Sequence, residues 1–235
     1  MLSSMTLKHG IRICIGALLI YGTYFVTAQK LRAELENDIR SWQTLNINTF
    51  ENEQWRVTAG AQSRLYDEGK FLGTWLIFPT VQYKAHPNLD LGATYLLEDT
   101  RSEAGDDYTR LHIFWLHANS HWQLTEKLKF SMRHLAGLRE IESKDDYWIS
   151  RHRFNIDYKL KDFGHLVGLG ASTEVFVRYD TDEVFENRFI PIKASFKLTD
   201  RSQLSLFIMM QSKRGVGCSN WENAYILGQS FNYKF

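Results

Sequence analysis

The sequence predicts an all-β protein, a transmembrane antiparallel up-and-down β-barrel of about 12 strands (10–12) preceded by a cleaved signal peptide. Three observations predict it: apolar and polar residues alternate in segment after segment, tight and long connections take turns along the chain, and the final strand ends on Phe235.

The N-terminus reads as an export signal. Lys8 and Arg12 form a short basic region, an apolar stretch runs to Val26, and Val26-Thr27-Ala28 offers a small-residue cleavage pattern. The uncharged run Ile13–Val26 is shorter than the roughly 20 residues a membrane-spanning helix needs. Residues 1–28 are therefore assigned to a signal peptide and residues 29–235 to one barrel domain. The expected location is the bacterial outer membrane.

The strands follow in order. Trp55, Val57, Ala59 and Ala61 alternate with Arg56, Thr58, Gln62 and Arg64; Trp75, Ile77, Val81 and Tyr83 alternate with Thr74, Thr80, Gln82 and Lys84. Leu89–Leu97, Leu128–Leu138 and Trp148–Leu160 repeat the pattern. Val167–Tyr179, Ile190–Leu198 and Leu204–Met210 extend it, and Ile39–Asn48 and Tyr108–Trp122 also read as strands. In the last strand Tyr225, Leu227, Phe231, Tyr233 and Phe235 share one phase, which Gln229 interrupts. Eleven strands are legible, whereas a bacterial single-chain barrel normally has an even number. Either Gln29–Asp38 adds a twelfth or one short segment is misread. Pro79 and Pro191 lie inside strand patterns and predict bulges, because each removes a ladder donor.

Tight connections fall around Glu51–Gln54, His86–Asn88, Leu124–Lys127, Lys161–Gly164 and Thr199–Arg201. Longer polar ones fall at Tyr66–Lys70, Glu98–Asp107, Glu140–Asp146, Asp180–Glu186 and Ser212–Glu222. On the apolar phase, Trp75, Tyr95, Trp148, Tyr179 and Tyr225 lie near long loops, and Trp55, Tyr83, Tyr158 and Tyr233 near tight turns. Two such aromatic rings suit two membrane–water interfaces. The mean hydropathy of −0.34 does not oppose this, because only alternate residues would face lipid. A soluble calycin-like barrel is the architectural alternative, and it would turn the apolar phase inward.

Composition excludes some functions. Without the leader's two basic residues the chain carries a net charge of −1, which leaves no nucleic-acid footprint. Cys218 is the one cysteine after the leader, so no internal disulfide can form. No cofactor is expected. No acidic run has calcium-loop spacing and the histidines do not cluster, so no metal site is expected either.

With the apolar phase toward lipid, the other phase faces the lumen. It is read as carrying fourteen basic residues, among them Arg56, Arg64, Lys84 and Arg110, against three acidic ones, Asp90, Asp157 and Glu174. The candidate binding residues are Arg133, Arg139, Arg151, Arg153 and Arg178. The three loops Glu98–Asp107, Glu140–Asp146 and Asp180–Glu186 invert the sign, with thirteen acidic residues against two basic ones, Arg101 and Lys144. A one-sign lumen within a low-dielectric wall attracts anions, which predicts a small pore or ligand-binding barrel for an anionic solute. The competing expectation is that acidic loops fold inward and neutralise the arginines. Another alternative is a structural barrel that docks a partner through those loops. Other expected partners are lipid, lipopolysaccharide and the outer-membrane insertion machinery, which would engage the strand ending at Phe235.

An enzyme is not expected, and no catalytic residue is assigned. The nearest constellation is Asn119-Ser120-His121, with His112 and His117 nearby, but neighbours in one strand point to opposite faces. Asp106-Asp107 and Asp145-Asp146 are paired carboxylates in polar loops. A barrel lipase or protease is the least favoured reading.

Several segments resemble a family. Asn187-Arg188 opens a strand, the Thr199–Arg201 turn follows, and an apolar strand ends at Gln211 before a closing run ENAYILGQSFNYKF. Together with RHRFNIDYKLK, from Arg151 to Lys161, these are similar to a bacterial domain of unknown function found in small outer-membrane proteins. The resemblance implies an outer-membrane barrel and no particular chemistry.

Overall fold

A computed structural model describes residues 38–67, 71–101, 108–142, 144–161, 163–215 and 217–235. The expected signal peptide, the loop pair Asp106-Asp107 and the expected strand from Gln29 up to Asp38 fall outside the described residues, save Asp38 itself. The described chain is all β. Its strands are β1 (Asp38–Glu51), β2 (Trp55–Tyr66), β3 (Phe71–Ile77), β4 (Thr80–His86), β5 (Leu89–Arg101) and β6 (Tyr108–Gln123). Then come β7 (Leu128–Ile141), β8 (Tyr147–Lys159), β9 (Leu166–Arg178), β10 (Glu183–Lys197), β11 (Ser202–Lys213) and β12 (Glu222–Lys234).

Each strand pairs with its neighbours until β12 meets β1, so the sheet closes on itself. The twelve strands make eleven staves. Strands β3 and β4 occupy one stave, because β2 and β5 each pair with both. The interruption is Phe78-Pro79. Phe78 still exchanges backbone hydrogen bonds with Gly60 at 2.8 and 3.2 Å, while Pro79 offers only its carbonyl, to the Tyr95 amide. The lost donor splits the stave, as the sequence suggested. Pro191 likewise lies where β10 slips register against both β9 and β11.

An odd stave number dictates the seam. Every turn reverses the chain, so after eleven staves the last strand runs in the same direction as the first. Strands β1 and β12 accordingly pair in parallel, from Asp38 opposite Ala224 to Asn48 opposite Lys234. The eleven segments legible in the sequence are these eleven staves.

The tight turns are held by their own side chains. Asn52 Oδ1 accepts from the amides of Gln54 and Trp55 at 2.9 and 2.7 Å, Thr125 Oγ1 from Lys127 and Leu128, and Thr199 Oγ1 from Arg201. All five tight connections are at one end of the barrel, and the longer ones are at the other.

The alternating phases separate as the periodicity requires. Leu91, Phe114, Leu116, Trp148, Ile156, Phe189 and Ile192 are exposed on the outer surface. Trp55 and Tyr83 pair there near the tight turns, with ring centroids 4.9 Å apart. The apolar phase therefore points outward, opposite to a calycin-like barrel.

Candidate functional site: the lumen

The lumen is built from inward residues of every stave. It holds carboxylates that the sequence had assigned to loops. Strands β5, β7 and β10 run past the expected loop boundaries, to Arg101, to Ile141 and from Glu183. Glu98 and Glu186 therefore belong to the wall and face inward. Among the described residues, carboxylates that continued strand pairing carries into the wall supply countercharge.

Strand β6 corrects the sequence reading in another way. Its inward phase is Leu111, Ile113, Trp115 and His117, and its outward phase carries Arg110 and His112. Arg110, expected in the lumen, instead pairs with Asp99 on the outer surface near the long loops, at 2.9 Å. His112 Nδ1 is 2.6 Å from the Tyr95 hydroxyl on the same surface. The misreading has a physical cause: this stave is apolar on both faces, so alternation does not reveal which is inside.

Halfway along the barrel a septum of side chains fills the lumen. Glu174 on β9 is its hub and is buried at 2% exposure. It takes two-point ion pairs from Arg151, at 2.5 and 2.9 Å, and from Arg153, at 2.8 and 3.1 Å. Arg188 on β10 lies 3.7 Å away and pairs more closely with Glu186, at 2.5 Å. Gln211 Nε2 also donates to Glu186. Arg64 and Arg188 both lie over the Trp42 ring, 4.5 and 4.9 Å from its centroid. Trp42, Met209 and Ile226 complete the layer as a buried apolar cluster. Residues this deeply buried on inward faces mean that the centre is occupied at this level.

The five candidate residues take different positions. Arg151 and Arg153 converge on Glu174. Arg133 points into the same layer, makes no ion pair among the described residues, and has a buried Nε without a hydrogen-bond partner. Arg139 lies nearer the long loops, donates to the Tyr147 hydroxyl at 2.7 Å, and likewise has an unmatched buried Nε. Arg178 is at the rim, paired with Asp180 and stacked over Tyr147 at 3.8 Å. That guanidinium holds the Asp180 carboxyl below its usual range, as Lys197 does for Asp200 at the opposite end.

On either side of the septum the lumen opens. At the tight-turn end two adjoining cavities of about 520 and 580 Å³ share Lys159, Val167, Gln203 and Asn232. Their lining is rich in lysine; Lys193 pairs with Asp157 at 2.7 Å, and Lys84, Lys234 and Arg56 converge on Glu51. At the long-loop end a separate cavity of about 230 Å³ has none of these lining residues.

Of the other constellations read from the sequence, Ser120 and His121 are not brought together. Ser120 faces outward opposite Met132, while His121 faces inward opposite Ser131. His117 faces inward between Thr94 and Asn119, at 3.3 and 3.1 Å. Among the described residues no three His, Cys, Asp or Glu side chains group in a manner that could hold a metal ion. The sequence reading missed an outward pair: His134 Nδ1 and His152 Nδ1 are 2.8 Å apart on β7 and β8, with Ser150 Oγ 3.1 Å from His152 Nε2. Two histidines on a phase otherwise occupied by Met132 and Phe154 were the available signal.

These features define a closed β-barrel with an apolar exterior and a charged, partitioned lumen. The chain belongs to the DUF2490 family, described as a protein of unknown function, whose pattern matches residues 39–221. No curated protein matches significantly. Among solved structures, the chain is similar to a NanC porin, with 12% identity over 84% of this chain and 99% of that one, at a TM-score of 0.49. It is also similar to an anion-selective porin from Comamonas acidovorans, with 13% identity over 78% of this chain and 55% of that one, at a TM-score of 0.37.

Proposed function

We propose that the protein is an outer-membrane barrel that admits small anionic solutes to a lumen divided by a charged septum, with its tight turns toward the periplasm. Three features support the location: the outward apolar phase, the aromatic residues near both ends, and closure without a free sheet edge, which hydrocarbon demands. On this reading the outer surface contacts lipid and lipopolysaccharide. The apolar face of β12, ending at Phe235, is then the feature that the insertion machinery engages. The barrel holds or passes its solute and performs no chemistry on it.

The observation that carries the anion preference is the imbalance across the lumen wall. Arg133 and Arg139 form no ion pair among the described residues, and the inner vestibule carries six lysines and two arginines against four carboxylates. A low-dielectric wall focuses such a field on the lumen. The septum makes the resting passage narrow, so conductance should be small. Planar-bilayer recording of the refolded barrel tests this: small channels with a reversal potential shifted toward the anion are expected. Cation preference, or no channels at all, overturns it.

One observation favours a second reading, a barrel that docks a partner. His134 and His152 lie mid-strand on the phase that would face hydrocarbon, where ionisable side chains are costly. A partner recovered at fixed stoichiometry from mildly solubilised membranes, and lost on His134→Leu, would favour docking over transport.

A further inference from the structure

The cavity at the long-loop end differs from the inner vestibule in chemistry as well as position. One side is apolar, formed by Ile113 and Trp115 of β6, Ile149 of β8 and Phe176 of β9. Leu111, Ile113, Trp115, Leu135 and Ile149 make a continuous buried apolar cluster inside the barrel. An apolar patch facing inward is not needed to close a barrel whose exterior is already apolar. The charged part of the wall sets Arg64, Arg139, Arg151, Arg188, Lys213 and Arg214 against the carboxylates of Glu98 and Glu186, so cations are in excess.

Two details give the cavity a defined shape. Gly137 on β7 lies directly opposite Trp115, and a Cβ there would come within 2.7 Å of Trp115 Cε3. The missing side chain lets the indole lie flat against the wall as a platform. Arg139, two residues on and on the same inward face, projects into the same cavity. Of the other cations here, Arg64 pairs with Glu98 at 3.4 Å, Arg151 with Glu174, and Arg188 and Lys213 with Glu186, while Arg214 donates to the Val184 carbonyl at 2.7 Å. Arg139 makes no ion pair among the described residues, and its buried Nε lacks a hydrogen-bond partner. A buried donor left unused is costly unless something supplies the acceptor.

We propose that this outer chamber binds a small amphipathic organic anion, its ring or short acyl chain against Trp115 and its carboxylate on Arg139. The volume of about 230 Å³ is below the range of about 300–1,000 Å³ common for drug-sized ligands, so the occupant is one ring or a short chain. Inorganic anions would use the guanidinium and waste the apolar wall; neutral aromatics would do the reverse. The proposal rests on the anion-admitting lumen and names the solute class it recognises.

Equilibrium binding to the refolded barrel in detergent tests it, with benzoate as probe and with benzyl alcohol, acetate and chloride as comparisons. Benzoate should bind saturably and at least about tenfold more tightly than any of the three. Arg139→Gln should weaken benzoate binding about tenfold, the scale of one charge-assisted hydrogen bond, and Arg139→Lys less. Gly137→Ala, which tilts the indole, should weaken benzoate while leaving chloride unchanged. Heat-modifiable gel mobility verifies that each variant is folded, and Trp115→Leu provides a second route to the platform should Gly137→Ala fail to fold. Benzoate binding no tighter than acetate, or unaffected by Arg139→Gln, overturns the proposal. The failures are separable: saturable benzoate binding without channels sinks only the pore, and anion-selective channels indifferent to benzoate sink only this site.

Discussion

Arg151 and Glu174 form a two-point ion pair across the β8–β9 boundary, with Nε 2.5 Å from Oε1 and Nη2 2.9 Å from Oε2. Arg153, directly opposite Glu174 in the register, takes the same carboxylate from the next inward position. One buried acid thus organises two guanidiniums, with a third, that of Arg188, 3.7 Å away.

Glu174→Gln should therefore expose uncompensated positive charge at the septum. Removing one partner of a buried pair typically costs about 3 kcal/mol or more. Urea unfolding of the refolded barrel should show a lowered midpoint, and bilayer recording a further shift toward anions. Unchanged stability and selectivity would mean that the septum is wet and loosely held.

The parallel seam can be cross-linked. Asn46 Nδ2 and Asn232 Oδ1 are 3.0 Å apart across the β1–β12 boundary. In a Cys218→Ser background, Asn46→Cys with Asn232→Cys should form a disulfide spontaneously on mild oxidation, seen as a mobility shift that reductant reverses. A strand inserted between β1 and β12 would separate the two and prevent it.

The kinked stave makes a packing prediction. The Phe78 ring lies over Gly60, so that a Cβ at Gly60 would come within 2.0 Å of Phe78 Cε2. Gly60→Ala should destabilise the barrel by about 1–3 kcal/mol through overpacking. Adding Phe78→Leu should recover part of that loss. The urea midpoints of the single and double variants report the coupling.

Orientation in lipid is open to fluorescence. Trp148 and Trp55 are 53% and 43% exposed on the outer surface, whereas Trp42 and Trp115 are 4% and 3% exposed inside. In variants that retain one tryptophan each, brominated lipid should quench Trp148 and Trp55 strongly and the inner pair weakly. Equal quenching would remove the outward-apolar arrangement and the membrane location with it.

Alternation and turn chemistry made most of the architecture legible. Asn52, Thr125 and Thr199 each cap a turn through contacts within three residues, so their positions could be read locally. Arg133, Arg151 and Arg153 were legible as inward residues for the same reason. Arg110 was not, because its stave is apolar on both faces. Glu98 and Glu186 were read as loop acids because a strand's end depends on whether its neighbour continues pairing, and the sequence of one strand does not record that.

The sequence alone settled most of what repeats every two residues: which faces are greasy on every stave but β6, where the chain turns, and eleven legible segments, though not that eleven close the wall. The tertiary structure decided the rest. An odd stave count made the seam parallel, and closure brought together residues as far apart as Asn46 and Ser230, 184 positions distant in the chain. It also selected which acid meets which arginine and left Arg139 without an ion pair among the described residues. The reason is geometric. A pleat fixes side-chain direction from nearest neighbours, whereas contacts across a lumen depend on stave number and stagger, which no single strand encodes.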